Sequence, residues 1–194
     1  MTRFLQLIFV AVLLSTTLSG CFPVVAGGAA AGGLMAADRR TSGAYIDDEA
    51  IEWKASDAIS KTLRDKIHVN VTSYNRNMLL TGEAADEGSK QQAESIGKEI
   101  TNVRNVTNEL VIGAPSSLGD RSNDALITSK VKAAFLTENK FPANYVKVVT
   151  EAGTVFLMGM VTRQEADDAV EIARGISGVQ KVVKVFEYVV VESK

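Results

Sequence analysis

The sequence predicts an α+β fold of two tandem αββαβ units, each a two-layer sandwich whose three-stranded mixed sheet is covered by two helices. Internal duplication is the first observation behind it. Leu80 and Gly82 match Leu157 and Gly159 at an offset of 77, and Ala93, Ile96, Ile100, Val103 and Val106 match Ala169, Ile172, Ile176, Val179 and Val182 at an offset of 76. Seven apolar or glycine positions in near-constant register define two copies of one unit. The second observation is the order of hydrophobic periods in each copy, which reads helix, strand, strand, helix, strand. The third is a short turn between the first two strands of each copy. A hairpin there sets those strands antiparallel, so the second helix is a crossover that returns the last strand parallel to its neighbour.

In the first copy, Asp47–Lys66 carries Ile51, Ala55, Ala58, Ile59 and Leu63 as one apolar stripe behind a cap at Asp47 or Asp48. Trp53 lies off that stripe and suits an inter-domain or surface contact. Val69 and Val71 alternate within His68–Ser73, Tyr74-Asn75-Arg76-Asn77 turns the chain, and Met78–Gly82 begins the second strand. Asp86–Ile100 is the crossover helix, and Val106–Ile112 closes the unit.

The second copy opens with Asp124 capping a helix to Leu136, with Ile127, Val131, Ala134 and Phe135 inward. Val146–Thr150 and Val155–Gly159 form its hairpin around Glu151-Ala152-Gly153. Thr162-Arg163-Gln164-Glu165 is a capping box for a helix that Ser177-Gly178 stops, and Val182–Val191 closes the unit. Gly82 and Gly159 end their second strands, where a side chain is expected to crowd the crossover helix. The expected organisation is a leader at 1–20, a tether at 21–46, domains at 47–115 and 124–191, and a linker at 116–123.

Ahead of the repeats, Arg3 precedes an uncharged run from Phe4 to Leu18, and Leu18-Ser19-Gly20-Cys21 ends it with small residues and the only cysteine. That pattern reads as a secretory leader ending in a lipobox. The Cys21 thiol takes a diacylglyceryl group, the chain is cut before it, and the new amino terminus is acylated. A retained membrane-spanning anchor is the rival reading, and the run falls short of the roughly 20 apolar residues it needs. Each buried acyl methylene contributes about 0.8 kcal/mol, so two or three chains on one residue hold a domain on a membrane. Phe22–Gly43 is a Gly/Ala-rich tether whose first charges, Asp38, Arg39 and Arg40, are expected to mark entry into water.

After removal of the leader, 20 basic and 23 acidic residues give the 174-residue chain a net charge of −3. That balance argues against broad nucleic-acid affinity, which needs a concentrated positive footprint. His68 has no second histidine with which to share a metal, so no cofactor or metal site is expected. Asp47-Asp48 and Asp167-Asp168 are helix neighbours whose side chains diverge, and no phosphate-cradling loop or Ser-His-Asp set is present. No enzymatic activity is expected from these motifs.

One helix has more apolar surface than its sheet needs. Beyond the inward stripe of Asp124–Leu136 lie Leu126, Ala133 and Leu136, with Lys130 and Lys132 beside them. Two uses fit that surplus: packing against the other repeat, or entry into the acyl boundary of a membrane while the lysines meet anionic head groups.

Met78-Leu79-Leu80-Thr81-Gly82, Val155-Phe156-Leu157-Met158-Gly159, Val161-Thr162 and Ile176-Ser177-Gly178-Val179 resemble the signature of BON domains, and the resemblance spans Asp48–Val189. It implies an outer-membrane lipoprotein facing the periplasm, with two dissimilar domains packed together. It further implies binding of anionic phospholipid, chiefly phosphatidylglycerol in the outer-membrane inner leaflet, enrichment at division sites and support of envelope integrity. On this chain the implied contact is Leu126, Ile127, Lys130, Lys132, Ala133 and Leu136. Where a close relative has tryptophan, Leu126 stands as a weaker but still insertable side chain. Phe22 after the acylated cysteine is similar to outer-membrane sorting sequences. The first copy, with Ser56, Asp57 and Ser60 outward, lacks the leucine-plus-lysine arrangement. A structural module that recruits envelope-assembly or peptidoglycan-remodelling proteins through the same helix is the competing expectation.

Overall fold

A computed structural model describes residues 38–190; the leader, Cys21 and most of the tether lie outside the described residues. Helix α1 (Ser42–Leu63) leads through a 3-10 turn into strand β1 (Ile67–Tyr74), followed by β2 (Asn77–Ala84), α2 (Glu87–Glu99), β3 (Asn105–Asn108) and β4 (Val111–Ile112). The second unit comprises α3 (Leu118–Glu138), β5 (Val146–Glu151), β6 (Thr154–Val161), α4 (Arg163–Arg174) and β7 (Lys181–Tyr188). In each unit the hairpin pairs antiparallel and the last strand returns parallel to the second, giving the expected mixed sheets in the orders β1-β2-β3 and β5-β6-β7.

Both first helices begin earlier than their acidic residues suggest. Thr41 caps α1 by accepting from the Ala44 N–H at 3.1 Å, and Ser117 caps α3 in a reciprocal box with Asp120. Most of the expected linker therefore belongs to α3. The two aspartates read as caps lie inside their helices and are buried. Asp48 accepts from the Asn75 and Arg76 N–H groups at 2.8 and 2.7 Å, and Asp124 accepts from those of Ala152 and Gly153 at 2.8 and 2.9 Å. Each thus grips the two central residues of its own hairpin turn. Asn75, Arg76, Ala152 and Gly153 all have positive φ, the geometry whose twist matches two flanking strands. A carboxylate binding both turn amides offsets the steric cost of that geometry at three non-glycine positions.

The closing strand of the first unit is interrupted. Asn108 Oδ1 accepts from the Leu110 N–H at 3.2 Å and its amide donates to the Lys90 carbonyl at 2.9 Å, so the chain leaves the ladder after the Glu109 N–H has bonded the Leu80 carbonyl at 2.9 Å, and Leu110 is buried. Gly82 and Gly159 are needed for a reason other than helix crowding. A Cβ at Gly82 would collide with the His68 carbonyl, and one at Gly159 with the Tyr145 carbonyl. The obstruction is backbone beside the neighbouring strand, and Gly82 adds a φ of +110.

Each sheet is apolar on both faces. On β2, Met78 and Leu80 join the core under α1 and α2, while Leu79 points the other way. On β6, Val155 and Leu157 face α3 and α4, while Phe156 and Met158 turn outward. Tyr74 and Leu79 meet Phe156 and Met158 in a third core shared by the two units. Polar bonds surround it: Asn70 donates to Glu151 at 2.8 Å, Asn75 to Glu187 at 2.7 Å, and Lys147 to Glu52 at 2.6 Å. Thr81 Oγ1, 1 % exposed as a residue, has no hydrogen-bond partner among the described residues.

Candidate functional site

The outward face of α3 is where the fold leaves apolar surface uncovered. Ile127, Val131 and Phe135 point into the second core, and Leu126 and Leu136 are 60 % and 71 % exposed. Because the helix starts at Leu118, that residue joins them at 79 % exposure. The sequence reading missed it by starting the helix too late; the Ser117-to-Asp120 spacing carried the signal. Ala133 is exposed between the leucines. Ile127, included in the expected lipid contact, is corrected: it is 1 % exposed and belongs to the core.

Lys130 and Lys132 border this face from opposite sides. At about 100° per residue, two positions apart puts them about 160° from one another around the helix. Lys61, Lys98, Lys140 and Lys184 are tied to carboxylates; Lys130 and Lys132 have no such partner among the described residues. Between Ala125 and Thr137 the helix carries no acid at all. The arrangement is an apolar strip with a free cation along each margin. Its C-terminal end opens into a groove of roughly 490 Å3, where Lys132 and Leu136 face Arg40, Tyr45 and Tyr74.

The remaining sequence candidates sit elsewhere. Trp53 is 70 % exposed on α1 and reaches no domain junction core. His68 Nδ1 lies 2.9 Å from Glu83 Oε2 at the junction. Glu151 is nearby: burial pushes its carboxyl above the usual range, against the lowering effect of the Asn70 hydrogen bond. No three His, Cys, Asp or Glu side chains among the described residues are placed to share a metal ion, and no described helix is long and apolar enough to cross a membrane.

Comparison with known proteins gives this surface its context. The BON domain family model matches twice, over residues 47–114 and 123–189. The chain is 40 % identical over 182 residues to a Haemophilus influenzae protein described as outer membrane lipoprotein DolP, covering 92 % of this chain and 94 % of that one. It is 36 % identical to a 21 kDa hemolysin of Actinobacillus pleuropneumoniae over 78 % of this chain and 79 % of the relative. Osmotically-inducible protein Y of Escherichia coli is 29 % identical over 72 % of both chains.

Proposed function

The chain belongs to the BON-domain family as a two-domain outer-membrane lipoprotein, and from that premise we propose that it binds anionic phospholipid, chiefly phosphatidylglycerol, through the outward face of α3. Cys21 carries the acyl anchor, the domains face the periplasm, and the contact is noncatalytic. Its purpose is support of outer-membrane integrity at division sites.

The observation that carries this reading is an exposed leucine strip edged by two unpaired lysines. Magnitudes decide how it works. A fully buried leucine contributes about 1.5–3 kcal/mol, and partial entry of Leu126 and Leu136 yields about 2 kcal/mol together. Each lysine beside an anionic surface adds about 1 kcal/mol. The total of about 4 kcal/mol corresponds to roughly millimolar affinity. Alone, the helix therefore binds weakly, at a level measurable with millimolar lipid, and in the anchored protein it acts mainly to orient the body.

The test uses the mature chain 21–194 with Cys21→Ser, unlipidated, sedimented with vesicles that contain or lack phosphatidylglycerol. Binding only to the anionic vesicles, reduced at least tenfold by Leu126→Glu with an unchanged melting transition, is the expected result. Equal sedimentation by a folded Leu126→Glu variant would reject the assignment and favour a protein-recruiting role for the same face.

A further inference from the structure

We infer that β7 is a docking edge for an extended segment of another protein, which joins the second sheet as a fourth strand and lies in the cleft between β7 and β3. The contact involves no residue of α3. Strand β7 is the last of its sheet, paired with β6 along all eight residues from Lys181 to Tyr188 and with no strand on its other side. The Val189 N–H continues that ladder onto the Val161 carbonyl at 3.0 Å. A parallel ladder uses every second residue of a strand, so the N–H and C=O groups of Val182, Lys184, Phe186 and Tyr188 face away from β6.

Outer strands are guarded against such pairing by proline, bulges, shortness or groups that occupy the backbone. The first domain follows that rule at β1. Glu52 accepts from the Ser73 N–H at 2.8 Å and Lys147 donates to the Ser73 carbonyl at 3.2 Å, so both backbone groups of this residue are taken. Strand β7 has no such guard. Bonds from other elements reach its Lys184 and Glu187 side chains, and among the described residues none reaches its outer backbone. It contains no proline and no positive φ, and its valines, Phe186 and Tyr188 favour pairing.

The space beside this edge has the shape of a strand. Strands β3 and β7 wall a cleft of roughly 560 Å3. Asn105 and Thr107 make one side polar, and the other is Val183 and Val185, partly buried where the core shared by the domains reaches its rim. Asn77 pairs with Asn105 and bonds Glu187 at 3.4 Å, so the start of β3 lies by the end of β7. Arg104 stands at that end of the cleft and Glu109 at the other, about 17 Å away along an extended chain. Neither makes an ion pair among the described residues.

Those two charges select the occupant. Antiparallel pairing, the more stable pattern, runs an added segment from Arg104 towards Glu109. It therefore places a carboxylate first, where the guanidinium can fork onto it, and a cation last. Between them, branched apolar side chains at alternate positions meet Val183 and Val185. Main-chain bonds supply the affinity, and the charges and alternate side chains choose the partner.

The test uses the unlipidated Cys21→Ser chain 21–194 and a synthetic peptide, blocked at both ends, that alternates valine and threonine between a leading glutamate and a closing lysine. Amide resonances are followed as the peptide is added. Saturable binding at millimolar peptide or below should shift the Val182, Lys184 and Phe186 amides and slow their exchange with solvent at least tenfold. Methylating alternate peptide nitrogens should weaken binding at least tenfold for one set and spare the other, since an added strand bonds along one edge. The exposed Arg104→Gln should weaken the glutamate peptide at least fivefold and leave a glutamine-led version unchanged. Unmoved β7 amides at millimolar peptide overturn the docking edge, and equal effects of the two methylation patterns overturn strand addition. Protection of the same amides without peptide, in a dimer that grows with protein concentration, overturns the proposal by giving the edge to a second copy of this chain.

Discussion

Helices α1 and α3 occupy the same place in their domains and differ on the side that the fold does not use. At the offset of 76, Asp48, Ile51, Ala55 and Ile59 correspond to Asp124, Ile127, Val131 and Phe135, and all eight are buried. The outward positions of the apolar strip share no such likeness, although Lys54 stands where α3 has Lys130. Ala50, Asp57 and Ser60 stand where α3 has Leu126, Ala133 and Leu136, and Ser56 stands where it has Lys132. Over equivalent stretches, α1 from Glu49 to Lys61 holds three acids and two lysines, while α3 from Ala125 to Thr137 holds two lysines and no acid. The proposed contact with an anionic bilayer rests on this difference in charge, since α1 also exposes large apolar side chains, Ile46 and Trp53. Duplication preserved what packs and freed what faces water, and the proposed contact falls on the second domain alone.

The largest effect expected from breaking this comparison lies in the shared part. Asp48→Ala costs about 3–5 kcal/mol, because it strands both Arg40, which Asp48 holds at 2.9 Å, and the turn amides. Asp124→Ala costs about 2–3 kcal/mol, since its turn has Gly153 and no arginine depends on it. Urea unfolding of the unlipidated chain measures both, and equal losses would mean that the glycine and Arg40 do not matter.

Next comes the unshared part. Trp53→Glu leaves binding to phosphatidylglycerol vesicles within twofold of the parent, against the tenfold or greater loss from Leu126→Glu. Equal losses would spread the contact over both domains. A smaller change follows at the margins of α3. Replacing Lys130 and Lys132 together with glutamine removes about 2 kcal/mol, near thirtyfold in vesicle affinity. Binding of the parent should also weaken as salt rises, because screening acts on exposed charges first.

The smallest effect concerns the junction. Thr81, at the place where the second domain has Met158, buries a hydroxyl without a partner among the described residues. Thr81→Val should raise stability by about 1 kcal/mol, read as a higher denaturant midpoint. A loss of stability would show that the hydroxyl is satisfied after all.

Much of the fold was legible because it depends on neighbours in the chain. Repeat register, hairpins, the Thr162–Glu165 cap and the inward stripes all follow from periodicities of two and 3.6 residues. The outward face of α3 was legible for the same reason, apart from Ile127 and Leu118. The continuous runs Met78-Leu79-Leu80 and Val155-Phe156-Leu157-Met158 also carried a signal that strands are covered on both faces, and with it the packing of one sheet against another.

Other features depend on partners that the chain order does not bring together. An aspartate ahead of an apolar stripe looks like a cap whether it meets its own helix or a turn 27 residues away, and only folding chose the turn for Asp48. Charged residues at the end of a Gly/Ala tether look solvated until Glu165, 126 positions beyond Arg39, is brought beside them. Sequence alone determined what each segment is and which side it buries, since local sterics and hydrophobic spacing suffice for that. Tertiary structure decided which distant polar groups meet, because a carboxylate or guanidinium is satisfied by whatever partner three dimensions place within reach.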